Sequence, residues 1–191
     1  MFGFFKKKNE IIIRDIIWRS DLYKYKALIS DVQKNDKSII VYYFEDTKIE
    51  LENILKQHQI TVSETSAITT KAWLIKASNL LHKNDVDNRK IIFAEHHPSF
   101  ITETEITNHL LELGIKQVTF FISMEDELMK QFGGDRIIEM MNKLGYKDDE
   151  VIEHSMVSSS IQRAQKKIDE QVQFPSNTRN SKDWFKINVV K

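Results

Sequence analysis

Cysteine is missing from all 191 residues, so neither disulfides nor thiolate chemistry is available, which fits a reducing, cytoplasmic setting. Long apolar runs are missing too, and none approaches the roughly 20 residues a helix needs to cross a bilayer. Net charge is absent: Lys+Arg and Asp+Glu stand at 28 each, so no overall field favours nucleic acid. The opening MFGFFKKK places its charges after a very short apolar stretch, the wrong order and length for a signal peptide. Phe2, Phe4, Phe5 and Lys6 to Lys8 suit a weak contact with an anionic membrane surface; a solvated terminus is the plainer reading. Internal repeats and low-complexity tracts are also lacking. What is present is an ordinary globular composition, 41% hydrophobic against 29% charged, in a chain long enough to bury a real core.

Strand and helix patterns alternate along the first two thirds. Ile11 to Arg19 is β-rich and suits a sheet edge. Leu22 to Val32 carries apolar residues at helical spacing, with Asp21 as a plausible cap. Ile39 to Phe44 is an unbroken apolar and aromatic run, as expected of a strand covered on both faces. A helix with Ile49, Leu51, Ile54 and Leu55 on one face follows, then a short strand over Gln59 to Glu64 and a helix over Lys71 to His82. Arg89 to Glu95 and Gln117 to Ile122 read as strands, separated by a helix from Thr102 to Leu113 that stops at Gly114. Such alternation predicts a mainly parallel sheet of four or five strands with helices on both faces. After Ile122 the pattern turns helical, with two short helices broken at Gly133-Gly134 and a last helix from His154 to Ile168. The sequence from Gln171 onward, QVQFPSNTRNSKDW, is rich in turn formers.

The most specific stretch is Phe120 to Lys167, FFISMEDELMKQFGGDRIIEMMNKLGYKDDEVIEHSMVSSSIQRAQKK. It closely resembles the preprotein translocase ATPase family SecA. There the second nucleotide-binding domain ends in a strand reading roughly FYLSLEDELM, followed by GSDRI and IEHKMVTRAIERAQKKVE. The matching positions are Ser123, Glu125 to Met129, Gly133 and Asp135 to Ile137, then Ile152 to His154, Met156, Val157, Ile161 and Arg163 to Lys167. SIIVYYFEDTKIELENILKQHQI and RKIIFAEHHPS resemble earlier parts of the same domain less closely, and the whole resemblance runs from about Asp15 to Glu170. It implies a RecA-like α/β domain over 14–122, after an N-terminal tail over 1–13. A helical extension over 123–170 would be the start of the family's scaffold helix, and 171–191 would be a C-terminal tail.

The family hydrolyses ATP between two such domains, with a P-loop on one and arginines on the other. No Gly-x4-Gly-Lys-[Ser/Thr] run occurs here. The family's arginine-finger segment, QLRGRAGRQGD, is replaced by Thr107, Asn108, His109, Leu110, Leu111 and Glu112, and a leucine or glutamate cannot do the work of a guanidinium. The expectation is therefore a chain without P-loop or finger, no enzyme, no catalytic residue and no cofactor.

Weaker candidates are weighed against plainer readings. Glu95, His96 and His97 follow a predicted strand, where open α/β sheets hold ligands, so a divalent metal or a rebuilt enzyme site is conceivable there. Inherited, exposed loop histidines are the simpler account. Glu125, Asp126 and Glu127 suit a helix start and its dipole better than acid–base chemistry. Trp73 and Trp184 read as packing residues. Met156, Val157, Ile161, Ala164 and Ile168 form an apolar stripe on the last helix, able to fold back on its own domain or to meet a partner or a second copy. The reading is a SecA-like, non-catalytic binding or regulatory module associated with protein export. A half-site completing a nucleotide pocket with a separate P-loop domain is the alternative beside the rebuilt enzyme.

Overall fold

A computed structural model describes residues 10–35, 37–63, 72–79, 81–143 and 145–189. The N-terminal Phe/Lys segment and Leu144 lie outside the described residues. Six strands form one sheet: β1 (Ile12–Trp18), β2 (Ser38–Tyr42), β3 (Val62–Ser63), β4 (Ala72–Lys76), β5 (Lys90–Phe93) and β6 (Gln117–Ser123). Their order is β1-β6-β5-β2-β4-β3, and every pairing is parallel. Parallel neighbours need crossovers, which the helices supply. They are α1 (Asp21–Lys34), α2 (Glu45–Gln57), α3 (Lys83–Val86) and α4 (Phe100–Glu112). The chain then continues through α5 (Glu127–Gln131), α6 (Gly134–Lys143), α7 (Ser155–Asp169) and α8 (Ser181–Asn188). This is a RecA-like α/β sheet with a helical C-terminal part.

Side chains alternate across the central strands. Ile39 and Val41 of β2 enter one core with Trp73, Ile75, Ile91, Phe93, Val118, Phe120 and Ile122. Ile40 and Tyr42 enter the other, with Leu74, Ile92 and Phe121. Leu28 and Val32 of α1 and Leu51 and Leu55 of α2 cover that second face. Leu110, Leu128, Ile161, Ile168 and Trp184 cover the first. Burying each such aliphatic side chain contributes roughly 1.5–3 kcal/mol, which is why continuous apolar runs, not alternating ones, mark these strands.

Three local expectations are corrected. The helix expected over Lys71 to His82 is β4, because AWLIK is a short run buried on both faces; periodicity cannot separate such a run from a helix turn. Asp21 is not the cap of α1: Ser20 holds that place in extended backbone, and Asp21 sits in the first turn. The turn-rich 171–191 stretch contains α8, whose start is capped by the Asn180 side chain accepting from the Asp183 N–H at 2.8 Å. Asn180 also donates to Asp46 at 2.9 Å, while the Asp46 N–H donates to the Arg179 carbonyl at 3.1 Å, so α8 is tied to the start of α2. Trp184 and Phe185 are buried.

At the Gly133-Gly134 break, the first glycine takes φ +86° and the second permits a close approach. A Cβ on Gly134 would lie 2.8 Å from the Met124 carbonyl oxygen, too near for any side chain. α7 begins beyond an antiparallel bridge between Ile152 and Ile17 that covers the outer edge of β1. Arg14 and Glu153 close that edge with two contacts of 2.5 and 2.8 Å.

Candidate functional site

The carboxyl ends of β1, β2, β5 and β6 open on one crevice, the usual ligand position of an open parallel sheet. Glu95 sits at its floor, buried, one residue beyond Ala94. Its Oε1 accepts from the N–H groups of Tyr43 (2.9 Å) and Phe44 (3.1 Å), and its Oε2 accepts from the Thr47 hydroxyl (2.8 Å). Burial pushes its pKa up to about 7, against the pull of those donors. Glu95 therefore staples the end of β5 to the β2–α2 turn.

His96 lies between two buried carboxylates, with Nδ1 2.8 Å from Glu103 and Nε2 3.2 Å from Asp15. Its ring stacks on Phe120 at 4.2 Å. Burial alone would lower its pKa, yet the Glu103 and Asp15 charges prevail and raise it to about 10. Burial likewise would raise Asp15, and the His96 imidazolium holds it below its ordinary value instead. His97 is the opposite case: burial takes it down to about 4. Its Nδ1 accepts from the Ser99 N–H at 3.0 Å, and its ring lies among Tyr43, Phe44 and Trp184.

The three consecutive candidates therefore point to three different places. They do not converge on one ion. Nor are the histidines exposed loop residues; both are buried. Among the described residues no group of three or more His, Asp or Glu is arranged to hold a metal.

The acids after β6 also take unexpected roles. Asp126 occupies the N-cap position of α5 without capping it. Its carboxylate instead accepts from Lys24 Nζ at 2.7 Å and from the Ser123 N–H at 2.8 Å. Lys24 is buried, which alone would lower its pKa, but Asp126 holds it well above the ordinary value. Glu125 accepts from the Asp21 N–H at 2.9 Å. Only Glu127, in the first turn of α5, fits the helix-dipole reading. Along the crevice as a whole, volume about 530 Å³, carboxylates outnumber lysines.

The last-helix stripe divides. Ile161, Ala164 and Ile168 are buried against the chain's own sheet and helices, so at these positions the stripe is core. Gln165 is fully buried and donates to the His97 carbonyl at 2.8 Å, and Asp169 accepts from the Ile101 N–H at 2.9 Å. Val157 is partly buried, while Met156 remains 70% exposed. Together with Met129, Phe132 and Ile137 these two line an apolar groove of about 590 Å³ between α5, α6 and α7. Sequence reasoning gave no role to Asp15, Lys24 or Glu103, because no local motif marks them and only the fold brings their partners to them.

Residues 114–149 match the family model described as the SecA P-loop domain. Over 182 residues the chain is 31% identical to the protein translocase subunit SecA of Clostridium acetobutylicum, covering 81% of this chain and 22% of that protein. The chain is SecA-like. The SecA of Chlorobium limicola is 27% identical over 194 residues, covering 85% of this chain and 19% of its own length. That of Chlorobium phaeovibrioides reaches 60% identity over 52 residues, 27% of this chain and 5% of that protein. This SecA-like chain thus spans about a fifth of the length of the relatives it follows for most of its extent.

One expectation falls here. The chain was expected to be no enzyme and to hold no P-loop, but residues 114–149 match a SecA P-loop domain, which overturns that expectation. The matched span holds β6, the Gly133-Gly134 break and α6 of this SecA-like chain. Among the described residues no helix is long and apolar enough to cross a membrane.

Proposed function

We propose that this chain serves protein export as a SecA-like binding module that engages a protein partner through the groove between α5, α6 and α7. The observation that supports the reading is the groove itself. Apolar surface from three helices converges on it, and Phe132 and Met156 stay exposed there at 45% and 70%. Exposed, contiguous apolar surface of this kind is a recognition feature. The buried part of α7 supports the same reading, since it fixes the helix on the domain and holds the exposed end in place. Probing must therefore avoid Ile161 and Ile168, which are core, and use the exposed rim.

The test is photo-crosslinking in living cells from a benzoylphenylalanine placed at position 156. Mass spectrometry should identify a component of the export machinery in the adduct, and Phe132→Asp should remove it while leaving the circular dichroism spectrum unchanged. Adducts no more abundant or specific than those from a probe at the exposed Glu170 would refute the reading.

A further inference from the structure

We propose that the groove's occupant is an amphipathic segment of another protein that sets acidic side chains beside its apolar anchors. This rests on the binding-module reading above and adds the partner's chemistry. The apolar walls come from Met129, Phe132 and Ile137 on one side and Met156 and Val157 on the other. The charged side chains that line the groove are Arg163 and Lys167, both on α7 and both exposed. No carboxylate lines it, and none among the described residues pairs with either cation. The Arg163 guanidinium makes only a 3.0 Å contact with the Ser160 hydroxyl.

Spaced four residues apart, the two cations share one helix face and repel each other. An acidic side chain delivered between them relieves that repulsion and makes charge-assisted hydrogen bonds. The lining of α7 runs from Met156 to Lys167, about three helical turns or roughly 16 Å. That length suits a helix of three to four turns laid in the groove. The two methionines give its walls the adaptability that such surfaces exploit. A second copy of this chain fits worse, because an isologous contact would bring the same Arg163–Lys167 edge against itself.

The probes are two fluorescein-labelled 18-residue helical peptides with leucines at positions i, i+3, i+4 and i+7. One is flanked by glutamates and the other by lysines, and each is titrated against the full chain by anisotropy at low salt. The glutamate peptide should bind at least about tenfold more tightly, the gain expected of two charge pairs, and the gap should shrink as salt rises. Arg163→Glu combined with Lys167→Glu should reverse the preference, with thermal melting unchanged because both side chains are exposed. Equal affinities, or a preference untouched by the double reversal, would overturn the inference. So would the failure of both peptides to bind a folded chain. Concentration-dependent dimers in sedimentation that Met156→Asp abolishes would overturn it in favour of a second copy. A crosslink from position 156 to an export component whose contacting segment is basic or uncharged would sink this inference and leave the binding-module reading standing.

Discussion

Replacing His96 with asparagine removes the imidazolium held between Asp15 and Glu103 and leaves two buried carboxylates facing each other. The side chain's folded pKa, about 10, lies above the free value of 6.5. Its contribution is therefore complete below about pH 6.5 and is lost as pH climbs toward 10. At about 1.36 kcal/mol for each pH unit, that interval bounds the contribution near 5 kcal/mol. Breaking one partner out of a buried charge pair typically costs about 3–5 kcal/mol, which agrees. For a domain of this size the loss corresponds to a melting temperature lower by about 10 °C. The assay is urea unfolding followed by tryptophan fluorescence at intervals between pH 6 and 10. The parent chain should lose stability steadily across that range, and His96→Asn should start lower and show a flatter profile. The triple change Asp15→Asn, His96→Gln, Glu103→Gln should recover part of the loss, since it removes the orphaned charges as well. A single variant within about 1 kcal/mol of the parent, with the same alkaline slope, would refute the account of His96 as a buried cation.

Two further outcomes are expected. Gly134→Ala should destabilise the chain by about 1–3 kcal/mol, because the new methyl meets the Met124 carbonyl 2.8 Å away and the backbone has to shift; an unchanged melting temperature would show that the α5–α6 turn is free to adjust. Trp184→Ala should cost about 3–5 kcal/mol, since the indole is 2% exposed and packs edge-on to His97. A loss below about 1 kcal/mol would mean that α8 is an appendage and not part of the core.

The amino-acid sequence by itself determined the parallel sheet. Ile39 to Tyr42 and Val118 to Ile122 are apolar on both faces, as expected of strands sandwiched between helices. It also determined the broken helices after β6, through Gly133-Gly134, and the kinship carried by Phe120 to Lys167. It misled at β4, where five residues are too few for a period to declare itself. It misled on the P-loop too, where the missing loop and arginine-finger motifs outweighed the likeness of residues 114–149 to a SecA P-loop domain. Tertiary structure alone decided the site. Glu95, His96 and His97 are neighbours in the chain, yet one binds the β2–α2 turn, one is clamped between β1 and α4, and one lies in an aromatic nest under α8. Glu103 stands 7 residues from His96 along the chain, and Tyr43 stands 52 residues from Glu95. Local periodicity says which way a side chain faces; it does not say what waits there. The same limit governs α7, whose stripe is legible as apolar but whose division into buried Ile161 and Ile168 and exposed Met156 depends on where the rest of the fold ends.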